Sequence, residues 1–401
     1  MTAALELQQW ILGEGLAGSN EARVLDGVCE RLTAEGIPLL RVNIAQPTLH
    51  PVIGGHLFIW QRDKGPAVQE DWRRNVTAAG DDYTQTPFAY MMDHDLFQLR
   101  FRLGAGEGCS DFPMLTRFRQ GGATDYFALR TDFGGTPGQS PARRAMTSWL
   151  TDAPQGFTPD QIATIEAIGP ALALVVKAAS SQRVASSVIE TYLGRDAGGR
   201  VLGGSIERGA GETIRAALWS SDLRAFTKIS DSVPRDRLLG LLHDYFDCIV
   251  GCVHENGGQV LKFMGDGLLA IFNLEDDAAS CQAALAAADL LRQRLEALSL
   301  ERREKDLPVT GAYLALHLGD VLYGNIGAPD RLDFTVIGPA VNEVARIEAM
   351  CRALDQDLVI SAAFAAAAKS HNDRIASLGR YVLRGVRRPQ ELFTLVAPED
   401  L

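Results

Sequence analysis

Two short apolar runs, 260–264 and 268–272, are separated only by Gly265, Asp266 and Gly267. So brief an interruption leaves room for a tight turn and little else. The segment KFMGDG therefore predicts a β-hairpin with Asp266 at its tip. A second carboxylate, Asp222, follows Ala216, Ala217, Leu218 and Trp219 in LWSSDLRAFT and precedes a predicted helix start. That places it at the C-terminal end of a strand, where α/β sheets usually hold ligands. A strand end and a hairpin tip can set one acid beside another. Further on, Asn342 and Arg346 stand four residues apart in the helix expected after Gly338-Pro339, and so share one face.

The chain of 401 residues, 46% hydrophobic and 22% charged, suits two or three compact domains, each able to bury a core. A net charge of -11 excludes a general nucleic-acid binder, which needs a basic excess or face. The N-terminus lacks the basic start, apolar middle and cleavage site of a secretory signal. The most apolar stretch, 168–176, lies between Glu166 and Lys177 and is shorter than the ~20 residues a bilayer needs. The expectation is a soluble, cytoplasmic protein with no membrane partner. Cys248 and Cys252, at i, i+4 in an apolar helix, read as packed thiols, and no disulfide is expected. His50, His56, His94 and Cys109 show no ligand spacing and read as ordinary hydrogen-bonded or surface residues.

Along the first part, a helix at 20–35 and strands at 39–44, 56–61, 126–131 and 145–150 give an α+β or α/β module. Thr158-Pro159-Asp160-Gln161 combines a capping threonine, a proline in the first turn and a glutamine three residues on, predicting a long helix that runs past Ser180 toward Tyr192. Late strands followed by this helix resemble the end of a GAF-type sensory domain. That resemblance implies a regulatory module over 1–157 taking an unidentified small-molecule effector; the plain alternative is a structural domain. Seven glycines between Gly194 and Gly211 mark a flexible or turn-rich connector. Downstream, a helix over 235–254 is expected to bury Leu238, Leu242, Tyr245, Ile249 and Val253.

Asp222, Asp266, Asn342 and Arg346, each in its local frame and in that order over residues 212–396, resemble the catalytic domain of class III nucleotidyl cyclases, the adenylyl and guanylyl cyclases. The resemblance implies an α+β, ferredoxin-like catalytic domain at 212–401, joined to the α/β GAF-like module by a helical and glycine-rich linker at 158–211. It implies a lyase converting ATP to cyclic AMP and pyrophosphate, with two Mg²⁺ or Mn²⁺ ions held by Asp222, Asp266 and the carbonyl of Leu223. Phe226 and Thr227 would offer main-chain amides to the triphosphate, and Arg384 would reach its terminal phosphates. Ala225 departs from the glycine common at that place. Asn342 would orient the ribose, and Arg346 would neutralise the developing charge on the α-phosphate. Lys262 and Thr335 would face the purine edge. Lysine, a donor only, suits adenine N1, while a threonine hydroxyl serves either base. ATP is thus the expected substrate, with GTP or a silent nucleotide-binding module as the alternatives. One copy of each motif implies a homodimer with two shared sites.

Overall fold

The computed structural model describes residues 2–48, 53–73, 85–134, 144–368, 373–386 and 389–396. His50, Arg387 and Arg388, weighed above or adjoining Arg384, lie outside the described residues. The chain divides into two compact units, Met1–Val188 and Ile189–Leu401.

The first unit runs α1 (Thr2–Leu16), α2 (Glu21–Ala34), β1 (Leu39–Pro47), β2 (Ile53–Gln61), β3 (Val68–Arg73), α3 (Pro87–Asp93), β4 (Gln98–Phe101), α4 (Pro113–Gln120), β5 (Asp125–Asp132) and β6 (Arg144–Thr151), and then enters α5 (Pro159–Leu193). Its six strands form one sheet in the order β3-β2-β1-β6-β5-β4, antiparallel throughout. Strand alternation sorts the side chains between two cores. Val42, Ile44, Phe127 and Trp149 pack under α1, α2 and the first half of α5. Tyr126, Ala128, Met146 and Leu150 pack under α3 and α4. Asn20 caps α2 through the Arg23 amide. Reciprocal capping starts α5, for Thr158 N donates to Gln161 Oε1 (3.0 Å) and Gln161 N to Thr158 Oγ1 (3.3 Å).

At 35 residues, α5 is far longer than its most apolar stretch, and by length and composition alone it is a helix able to cross a bilayer. Its residues Ile165, Ile168, Leu172, Val175 and Val176 are packed in the first unit's core. His56 is buried with Nδ1 2.7 Å from Asp71 Oδ1, and His94 stacks on Tyr90.

The second unit contains α6 (Arg195–Leu202), β7 (Gly211–Leu223), α7 (Phe226–Ser232), α8 (Arg235–Glu255), β8 (Gln259–Met264), β9 (Gly267–Phe272), α9 (Asp277–Glu304), β10 (Ala312–Ala328), β11 (Arg331–Ile337), α10 (Pro339–Leu354), β12 (Leu358–Ser361), α11 (Ala362–Ala367), β13 (Ile375–Tyr381) and β14 (Gln390–Leu395). Its sheet follows the order β13-β14-β12-β10-β7-β9-β8, with β11 on β10. Only β10 and β12 run parallel among these pairs. The alternation of β7 fixes the layers: Ala217, Trp219 and Leu223 pack against α8 and α9, whereas Ala216 and Leu218 pack on the side of α10. Asp222 has the parity of Ala216 and Leu218, so its carboxylate leaves the strand on the α10 side.

The expected α8 seam is buried at Tyr245, Ile249 and Val253, with Leu241 and Cys252 added, and Leu238 and Leu242 are half-buried against the same core. One expectation needs correction. The glycine-dense connector is docked, not loose. Eight of its residues form α6, and Asp196 accepts from Tyr323 Oη (2.8 Å). Asn325 Nδ2 donates to Ser205 O (2.6 Å), and the Gly209 amide donates to Asn325 O (3.0 Å). A Cβ on Gly324 would fall 2.2 Å from Ala210 O, so here glycine permits strand-to-connector contact.

Candidate active site

The hairpin turn at Gly265, with φ +69°, and Asp266 brings the Asp266 carboxyl within hydrogen-bonding reach of Asp222 at the end of β7. The two strands approach so closely that a Cβ on Gly267 would lie 2.5 Å from Ser221 O and 3.2 Å from Asp222 Oδ1. Gly267 is therefore what allows β9 to close on β7 beside the carboxylate. Burial, followed by the neighbouring Asp266, pushes the Asp222 carboxyl up to about 6, with Arg352 pulling weakly the other way.

Two residues that sequence reasoning passed over join this pair. Glu348 on α10 has its carboxyl raised to about 7, first by burial and then by Asp222, with Arg352 opposing and Asp266 adding to the rise. Arg352, one turn further, lies with its guanidinium carbon 5.9 Å from the centre of the Tyr313 ring. Tyr313 is the cross-strand partner of Asp222, and Arg224 covers the same ring at 4.7 Å. Arg224 is also paired with Asp357. The available signal was helical phase, since Glu348 and Arg352 are i, i+4 on the side of α10 that turns toward the sheet.

Asn342 and Arg346 sit elsewhere. With Gly338, Pro339, Glu343, Gly385 and Val386 they line an open cleft of about 450 Å³. Asn342 is exposed and Arg346 half-buried. From Arg346 to Glu348 the helix turns roughly 200°, so the Asn/Arg pair and the Glu348/Arg352 pair leave α10 on different sides. A Cβ on Gly385 would lie 3.3 Å from Arg346 Nη2, which puts the turn holding exposed Arg384 beside Arg346.

Leu223 is buried and faces the α8–α9 core, which leaves its main chain as the part available at the site. Ala225 adopts a left-handed conformation, φ 52° and ψ 25°, as the N-cap of α7. It holds the backbone shape that the sequence pattern reserves for glycine. The first helical bonds of α7 run from Lys228 N and Ile229 N to Ala225 O, so the amides of Phe226 and Thr227 precede them. The Phe226 side chain packs against the core, and Thr227 is exposed.

Lys262 and Thr335 differ in access. Lys262 Nζ lies 3.5 Å from Asp333 Oδ2, and both side chains are partly exposed. Thr335 is buried, and its hydroxyl is sealed from solvent without a hydrogen-bond partner.

No family model matches the chain. It is similar to an adenylate cyclase of Anabaena cylindrica, 33% identical over 161 residues, or 39% of this chain and 31% of that protein. The matches cover between 23% and 36% of the length of three curated relatives, two adenylate cyclases and an uncharacterized protein of Mycobacterium tuberculosis. Among solved structures, the adenylyl cyclase CyaB from P. aeruginosa aligns over 48% of this chain and 99% of its own, with 24% identity and a TM-score of 0.44. The guanylyl cyclase Cya2 aligns over 48% of this chain and 98% of its own, with 25% identity and a TM-score of 0.41. The second unit is an α+β domain.

Proposed function

We propose that the protein is an adenylate cyclase, forming cyclic AMP and pyrophosphate from ATP in a catalytic domain at 212–401. In this reading 158–211 is a linker and 1–157 a GAF-like regulatory domain with an unidentified small-molecule effector. The observation that carries the reading is the Asp222–Asp266 pair, two carboxylates held together at a strand end and a hairpin tip, one of them pushed up to about 6. Like charges this close call for a counter-charge. Hard oxygen donors suit Mg²⁺ or Mn²⁺. Among the described residues no cluster of three or more metal-binding side chains exists. That fits Mg²⁺, which commonly takes one or two carboxylates and completes its shell with substrate phosphates and water. Asp222, Asp266 and the Leu223 carbonyl would hold two such ions, which stabilise charge on the attacking and leaving oxygens.

The remaining work falls to the chain's own groups. Asn342 orients the ribose so that its 3′-hydroxyl faces the α-phosphate, and Arg346 meets the charge that grows there. Arg384, beside Arg346, binds the terminal phosphates, and the Phe226 and Thr227 amides cradle the triphosphate. Attack of the 3′ oxygen on the α-phosphorus forms the cyclic ester as the bond to pyrophosphate breaks and the hydroxyl proton passes to water. Because Asn342 and Arg346 leave α10 away from the aspartate pair, a complete site takes the aspartates of one chain and the Asn/Arg pair of a second copy, giving a homodimer with two sites.

The direct experiment supplies ATP and GTP separately to the full-length protein with Mg²⁺ or Mn²⁺ and separates the products. Cyclic AMP that disappears in Asp222→Ala is expected. Absence of any cyclic nucleotide under every metal condition would leave only nucleotide binding.

A further inference from the structure

We propose that a second cleft in the same unit binds a carboxylate carrying a hydrocarbon body, whatever nucleotide the chain turns over. The cleft, of about 450 Å³, lies between the C-terminal half of α9 and the starts of β10 and β12, on the face of the sheet away from α10. That volume is in the range of small-molecule sites. Its floor is apolar, made by Leu291 and Leu295 of α9, Leu314 of β10 and Leu358 of β12. Its rim is charged, with Arg224, Arg292 and Arg303 set against Glu296 and Asp357. Three guanidiniums against two carboxylates leave one positive charge over.

Arg224 is mounted as the anchor. Its amide donates to Gly311 O (2.8 Å) and its carbonyl accepts from Thr310 Oγ1 (2.5 Å), so its main chain is fixed to the start of β10. A Cβ on Gly311 would lie 3.1 Å from Arg224 Cδ, and glycine there leaves the side chain its path. The guanidinium rests on the Tyr313 ring, 4.7 Å from its centre. Its Nε is sealed without a hydrogen-bond partner, while Nη2 is paired with Asp357, whose side chain is 69% exposed. A buried donor left unpaired is costly, and a mostly solvated carboxylate is easily returned to water. When Asp357 swings out, an acid group entering from the cleft takes Nε and Nη2 together, the bidentate pairing that the guanidinium fork favours. Its hydrocarbon body then covers the leucine floor. A single negative charge matches the rim, whereas a phosphate monoester, with close to two, overshoots it and meets Glu296.

The test is isothermal titration of the full-length protein, without nucleotide or metal, with decanoate, decyl phosphate, decanol and acetate. Decanoate is expected to saturate one site per chain, with the other three at least about tenfold weaker. Asp357→Asn removes the competing carboxylate and should tighten decanoate binding about threefold to tenfold, while Arg224→Gln should weaken it about tenfold or more. Arg224→Lys keeps the charge without the fork and should recover little. If Arg224→Gln does not fold, Asp357→Asn, at an exposed side chain, decides alone. Decanol that binds as tightly as decanoate overturns the proposal, because the cleft is then apolar surface only. Tight binding of decyl phosphate overturns the match to a single charge. Decanoate affinity unchanged in both Asp357→Asn and Arg224→Gln puts the ligand elsewhere and also overturns it. No turnover is read, so failure of the cyclase reading leaves this test standing.

Discussion

Asp222 and Glu348 act on each other electrostatically from opposite elements, the end of β7 and the third turn of α10, and burial holds their carboxyls at about 6 and about 7. Both values lie above those of unfolded carboxyls. Through the window from about 4 to 7 the folded chain keeps protons that the unfolded chain has released, so these two groups make stability fall as pH rises. A tenfold difference in proton affinity between the folded and unfolded chain corresponds to about 1.4 kcal/mol. After discounting for partial solvent access, Glu348→Gln should gain about 1–2 kcal/mol at pH 7.5 in metal-free protein and nothing at pH 4. Urea unfolding of both proteins across this range measures the difference. Excess Mg²⁺ should stabilise the wild type at pH 7.5 and progressively less below pH 6, where Asp222 is protonated.

His317 behaves oppositely. It is buried on β10, with Nδ1 2.9 Å from Ser361 Oγ, and burial with Arg215 lowers its imidazole to about 4. Burial outweighs the Glu343 carboxylate 3.5 Å from Nε2. Since the unfolded imidazole titrates near 6.5, the unfolded state takes up a proton first as pH falls. This contribution to stability is present above about 6.5 and is lost progressively down to about 4. His317→Gln should therefore flatten the acid limb between pH 6.5 and 4 by about 2–3 kcal/mol, whatever it costs at pH 8. Chemical unfolding at pH 8, 6 and 4.5 reads that slope directly.

Local signals carried much of the fold. The hairpin around Asp266, the capping box at Thr158 and Gln161, and the helix after Gly338-Pro339 each depend on a few adjacent residues, and each is found close to its expected bounds. The connector was not legible in the same way. Glycine density encodes backbone freedom, whereas the docking of α6 depends on Tyr323 and Asn325, more than a hundred residues away. The seam of α8 shows another limit, because leucines at 238, 239, 241 and 242 do not state how wide a stripe the core will take, and Leu241 and Cys252 join the expected residues there. Motif spacing foresaw Asp222 beside Asp266 and Asn342 and Arg346 on one face of α10. It did not reveal that Glu348 would join the former, or that Thr335 would be sealed while Asp333 stayed open.

The division of α10 between two environments leads to a prediction about assembly. Glu348 and Arg352 belong with Asp222, whereas Asn342 and Arg346 line the cleft beside Gly385. If catalysis joins the aspartates of one chain to the cleft of another, Asp222→Ala and Arg346→Ala should each abolish activity alone, yet complement when mixed. In a mixed dimer one site carries both defects and the other carries neither. Random pairing of equal amounts puts half the molecules in mixed dimers with one working site of two, so the mixture should recover about a quarter of the wild-type rate. The recovery should disappear on dilution below the dimer dissociation constant, together with wild-type activity. Asp222→Ala mixed with Asp266→Ala should stay silent, because those defects fall on the same half of each site: one is then present in every site of every pairing. Equal silence of both mixtures, with dimers confirmed by sedimentation, would place the aspartates and Arg346 in the same chain's site.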